Sequence, residues 1–240
     1  MNLGRITTPL LVVSFLFVSC SSLKQSKKPK RVAKIKEEIK LEEISYKSVS
    51  LLIERWPENS KLAANNMLTK YGLPSEATDL HLLWLNKGPF KKIKVNQNEI
   101  SHNFPIPHTD VIEQMVNYKV PASKVEDIWR FNGSILLDRT RGEMSARCEK
   151  EEMNILALNL ADEIIMGKMS VPEARLEFAR SAQAFVMGNT NQYTNKLNFI
   201  PVSEAADADE ALDPWARPGL RSRYKKEAQE AQEVIEETKP

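Results

Sequence analysis

A chain of 240 residues with 42% hydrophobic content can hold one ordinary domain with flanking segments, or two small domains. Its formal charge of +2 gives no electrostatic reason to expect a nucleic-acid partner.

At the front, Arg5 precedes an apolar run from Leu10 to Val18 interrupted only by Ser14, and Ser19 and Cys20 follow. Charged, then apolar, then small is the layout of a secretory signal. The run is far short of the ~20 residues that cross a bilayer as a helix, so residues 1–19 are expected to be removed. Their loss takes away Arg5 alone and lowers the formal charge from +2 to +1. Phe17-Val18-Ser19-Cys20 resembles the lipobox of bacterial lipoproteins, although that family prefers Leu where Phe17 stands. The resemblance covers only about the first two dozen residues. It implies lipid on the Cys20 thiol and palmitate-type acyl chains that hold the protein to a membrane. Ser21 beside that cysteine resembles an outer-membrane address, which implies a body facing the periplasm. With Cys20 lipidated, Cys148 has no cysteine partner in the chain, so the fold cannot depend on an intramolecular disulfide.

Residues 20–43 carry Lys24, Lys27, Lys28, Lys30, Arg31, Lys34 and Lys36 before the first acid, Glu37. Such a segment has little to bury and reads as a basic, solvated tether suited to an anionic membrane surface. Globular patterning begins at residue 44. Val49, Leu52, Ile53 and Trp56 predict a helix that stops at Pro57; Ala64, Met67, Leu68 and Tyr71 predict a second, ended by Gly72. Leu80 to Leu85 alternate as a strand, Asn86-Lys87-Gly88-Pro89 turns, and Ile93 and Val95 return beside Lys92 and Lys94, the pattern of an edge strand. Pro105 and Pro107 make residues 99–110 an extended loop. Asp110 and Glu113 have capping-box spacing, which predicts a helix carrying Val111, Met115 and Tyr118 up to Pro121. A further helix is expected over Ser123–Phe131 with Val125, Ile128 and Trp129 facing inward, then a buried strand at Ser134–Leu137.

The longest helical pattern runs from Glu143 to Met166, with Glu152, Asn159, Asp162 and Glu163 as its polar strip. Ser170 with Glu173, and Pro172 in the first turn, then start a helix burying Ala174, Phe178, Ala182 and Phe185. These elements predict a helix-rich α+β fold over residues 44–200, with several helices packed on a small antiparallel hairpin or sheet and a central apolar helix near 143–166. Residues 201–240 alternate acidic, basic and acidic blocks, which reads as a mostly disordered tail able to form helix against a partner.

No phosphate-cradling loop, nucleophile elbow or His-Glu-x-x-His helix is present, and no catalytic residue is assigned. His102, His108 and Asp110 are the right ligand types for zinc or iron, with Glu99 or Glu143 as a base if the site were hydrolytic. His81 would join them only if the loop folded back over its strand. Arg139 and Arg141 beside Asp138 and Glu143 form the alternative site, able to hold an anion or else to stitch a strand to a helix through a Thr140–Glu143 cap. Cys148 is either a nucleophile served by His102 or His108, or a small apolar filler. The resulting expectation is a lipid-anchored envelope protein that binds another envelope protein as a scaffold, without a cofactor. The alternatives are a metal-dependent hydrolase acting on envelope material and a periplasmic anion-binding protein.

Overall fold

The computed structural model describes residues 44–210 and 220–237. The signal segment, Cys20 with its basic tether, and residues 211–219 and 238–240 of the tail lie outside the described residues. The fold is mixed α+β. In chain order it runs α1 (Tyr46–Ile53), α2 (Glu58–Tyr71), β1 (Glu76–Ala77), β2 (His81–Lys87), β3 (Phe90–His102) and β4 (His108–Asn117). A 3-10 turn (Ala122–Lys124), α3 (Val125–Phe131), β5 (Ile135–Asp138), β6 (Glu143–Cys148) and α4 (Glu151–Ile165) follow. Then come α5 (Val171–Val186), α6 (Gln192–Asn195) and α7 (Leu220–Glu237).

The six strands form one antiparallel sheet in the order β1-β2-β3-β4-β6-β5. Cross-strand register places Trp84 opposite Ile93, Ile93 opposite Gln114 and Gln114 opposite Ala146, so these residues share one face. Leu82, Val95, Ile112, Val116 and Met144 lie on that face too, and all are buried. The other face carries His81, Lys92, Lys94 and Glu113. An antiparallel sheet with one face on the core and one toward solvent alternates in this way. Two side-chain bonds fix the helices on the apolar face: Trp84 Nε1 donates to the Gly72 carbonyl after α2 at 2.9 Å, and Asn154 Nδ2 of α4 donates to the Ile112 carbonyl at 3.1 Å. Full burial of each large apolar side chain there contributes about 1.5–3 kcal/mol.

Local signals held where the chain closes on itself. The turn at Asn86–Pro89 joins β2 to β3 with Lys87 opposite Phe90, and Asn86 and Gly88 take positive φ. Ser170 and Glu173 cap each other at the start of α5, with Pro172 in the first turn.

Elsewhere the tertiary structure overrules the local reading. Residues 110–117 form strand β4, not a helix begun by Asp110, because they lie between β3 and β6 and hydrogen-bond to both. The extended loop expected over 99–110 shrinks to residues 103–107, since β3 continues to His102 through a bulge between Val95 and Ile100. That places β3 inside the sheet, not at its edge. Its lysine face is matched by carboxylates, with Lys94 opposite Glu113 and Lys92 Nζ 3.3 Å from Glu143.

The long helix starts at Glu151. Residues 143–148 are strand β6, so Thr140 and Glu143 form no cap. Asn159 and Asp162, expected in a polar strip, are buried: Asn159 holds the chain after α5, and Asp162 accepts from Tyr118 Oη at 2.6 Å. Trp129, expected inside, is 60% exposed. Beyond Ile200 the chain is still tied to the body, with Ala205 buried and Arg139 paired to Asp207 and Asp209.

Candidate metal centre

The bulge in β3 sets the site. Beyond it the two strands resume in register, with Ile100 opposite Asp110 and His102 opposite His108. Two-residue alternation along β4 then puts His108 and Asp110 on the same face as Ile112, and cross-strand pairing brings His102 to that face as well. The connection 103–107 is pinned by Phe104, whose ring lies 5.2 Å from that of Phe178 on α5. The Arg175 guanidinium sits 3.9 Å from the Phe104 ring centre and donates to the Phe131 carbonyl at 2.6 Å. Strand register and aromatic packing thus hold both histidines.

One nitrogen of each histidine and one oxygen of Asp110 all fall within 4.8 Å of one another. Asp110 Oδ1 stands 3.4 Å from His108 Nε2 and 3.6 Å from His102 Nδ1. These separations are long for charge-assisted hydrogen bonds, and Asp110 Oδ1 is buried with no hydrogen-bond partner. They suit two ligands of one ion: atoms bound at about 2.0–2.1 Å in tetrahedral geometry lie roughly 3.3 Å apart. The atoms behind the trio are also engaged. Ser134 Oγ donates to Asp110 Oδ2, and His108 Nδ1 lies 2.8 Å from the Ile106 carbonyl, the partner that fixes a ring with Nε2 facing the ion. His102 Nδ1 also lies 3.1 Å from Ser134 Oγ.

Without an ion, protons take up the charge. Burial works to lower His108, but the Asp110 carboxylate 3.4 Å away, the neighbouring Cys148 and the Ile106 carbonyl prevail and push it up to about 11. Burial is the main cause that lowers His102 below its ordinary value; His108, Arg147 and Arg175 add to it, and Asp110 only partly opposes them. One imidazolium and one neutral imidazole therefore flank the carboxylate. Both of its nitrogens face acceptors, so His108 is poorly placed to take a proton from Cys148.

The other candidates are dispersed. Glu99 caps α2, accepting from the Asn59 and Ser60 backbone N–H groups at 3.0 and 3.2 Å. Glu143 is buried on the opposite sheet face with Lys91 Nζ at 2.7 Å. Neither belongs to the trio as a base. His81 faces Glu76 at 3.3 Å. Arg139 holds Asp207 and Asp209, and Arg141 lies 3.6 Å from Asp138, so both guanidiniums already face carboxylates.

Sequence reasoning missed Ser134, which no motif marks, and missed the apolar groove that reaches the trio. The groove encloses about 630 Å³ between the Pro105–Pro107 connection, Met153 and α5, and both His108 and Cys148 line it. Its signal was present in the sequence as Pro-Ile-Pro followed, much later, by the Phe178, Ala182 and Phe185 stripe. No protein-family model, no curated protein and no solved structure matches this chain. Among the described residues, no helix is long and apolar enough to cross a membrane.

Proposed function

We propose that this chain is a lipid-anchored protein of the cell envelope, attached through Cys20, whose folded body holds a divalent transition metal at His102, His108 and Asp110 and uses it for hydrolysis. The anchoring rests on the lipobox-like run ending at Cys20. The observation that carries the metal reading is the buried, unpartnered Asp110 Oδ1 aimed between two imidazole nitrogens. Two imidazoles and one carboxylate are a borderline-soft set suited to zinc or iron(II). Three protein ligands leave a place for water, whose proton a zinc-class ion would make easier to lose. His102, His108 and Asp110 bind and orient; Ser134 and the Ile106 carbonyl hold two of them in position.

Metal analysis of the purified protein, with zinc and cobalt(II) titrations, tests this. Near-stoichiometric binding is expected, and His108→Ala and Asp110→Ala should each weaken it at least tenfold. Substoichiometric metal indifferent to both substitutions would end the reading.

A scaffolding role, binding another envelope protein, draws support from α7, an 18-residue helix with exposed Arg223–Glu227 and Lys226–Glu230 pairs. Ala205 and Asp207 belong to the body, so truncation after Glu210 separates tail from fold. Crosslinking partners lost on that truncation would favour the scaffold.

A further inference from the structure

We infer that α7 pairs with the α7 of a second copy of this chain, the two helices running antiparallel. The inference names a partner for the helix on which the scaffolding reading draws, and rests on neither the metal centre nor the anchor.

α7 carries its charges in the wrong order for a helix standing alone. Arg221, Arg223, Lys225 and Lys226 fall in its first half, and Glu230, Glu233, Glu236 and Glu237 in its second. No acid lies in the first turn and no base in the last, so both ends oppose the helix dipole. Its described side chains, at 223, 225–234 and 236, are all exposed, whereas helices in proteins draw most of their stability from packing. An antiparallel copy answers both faults, because it lays an acidic half against each basic half and covers one face. A parallel copy would set like charges side by side along the whole length.

The register comes from the spacing. Tyr224, Ala228, Ala231 and Ile235 are four, three and four residues apart and occupy one face. That spacing reads the same in reverse, so an antiparallel pair sets residue 224 level with 235 of the second copy and 228 level with 231. Lys225, Gln232 and Glu236, seven and four apart, lie along one flank of the face, and antiparallel pairing sets this flank against itself. Glu236 of the second copy then stands level with residue 223, about 3 Å along the axis from Lys225. Arg223 and Lys226 already pair with Glu227 and Glu230 within the helix; among the described residues, Lys225 and Glu236 have no ion pair of their own.

Disulfide trapping in the full chain, in detergent and with Cys148→Ser as background, tests the orientation. Mixing Tyr224→Cys protein with Ile235→Cys protein should trap a mixed dimer. Neither should crosslink with itself, because an antiparallel pair holds each of these positions about 16 Å along the axis from its own counterpart. Sedimentation equilibrium tests the charges. Lys225→Glu and Glu236→Lys should each weaken association roughly tenfold, since the change recurs at both symmetric sites, and the double variant should recover it. Glu236→Lys puts a base in the last turn and so favours the isolated helix; weaker association in that variant could not come from lost helix.

Crosslinking of either cysteine variant with itself, association unchanged by truncation after Glu210, or a monomeric full chain would overturn the proposal. A monomeric chain whose α7 captures a different protein would remove the self-pair and leave the scaffold standing. Metal stoichiometry should be the same in all the tail variants, so the pairing and the metal centre fail separately.

Discussion

Asn159 offers a direct test of how the region after α5 is held. Its side chain is 1% exposed on α4, donates to the Tyr193 carbonyl at 2.9 Å and the Lys196 carbonyl at 2.8 Å, and accepts from the Asn198 backbone N–H at 2.8 Å. Asn159→Ala removes three hydrogen bonds at once and leaves three backbone groups to find water at a partly buried junction. At about 1 kcal/mol each the loss is about 3 kcal/mol, or roughly 6–12 °C in Tm for a body of this size. Urea unfolding followed by tryptophan fluorescence measures it, and hydrogen exchange should show faster opening across residues 191–199 alone. The control is Asn66→Ala on the exposed side of α2, expected to stay within about 0.5 kcal/mol of wild type. A loss under about 1 kcal/mol for Asn159→Ala, or exchange unchanged in that segment, would refute the clamp.

Ser134→Ala removes the hydroxyl that fixes Asp110 Oδ2, and zinc affinity measured by competition should fall about 10–100-fold with the fold retained. In metal-free protein, His108 is held charged up to about 11 against an ordinary value of 6.5, so its contribution to stability is complete below pH 6.5 and is lost as pH rises toward 11. Denaturation midpoints measured under chelation should decline through that window, and His108→Gln should flatten the decline. Gly142 has φ near +63°, and a Cβ there would meet the Ala205 backbone. Gly142→Ala should therefore loosen the chain around Ala205, and limited proteolysis should cut there sooner than in wild type.

Much of the helical framework was legible in the sequence because its signals are local. Ser170, Pro172 and Glu173 mark a helix start whatever surrounds them, and the Asn86–Pro89 turn needs only its own backbone to fix a hairpin. Strand or helix at 110–117 and 143–148 was not legible. Asp110 and Glu113 have capping spacing, yet the same residues gain two ladders of backbone hydrogen bonds once β3 and β6 lie alongside. The apolar run that resembles one helix divides at Glu149 and Lys150, because Glu143–Cys148 fills the place between β4 and β5. Asn159 and Asp162 had the composition of a solvated strip, and only their partners, the chain around α6 and Tyr118, explain why they are buried.

The candidate site divides in the same way. The sequence alone determined which groups are available: two imidazoles and a carboxylate within nine residues, a cysteine at position 148, and prolines that keep the intervening chain from continuing as regular structure. Tertiary structure decided that they meet. His102 faces His108 only because β3 bulges and re-pairs with β4, and Ser134 reaches Asp110 only because β5 joins the far side of β6. Residue type is a local property of the chain; convergence depends on the register of strands distant in sequence, and that register is set by which sheet face the apolar side chains can bury.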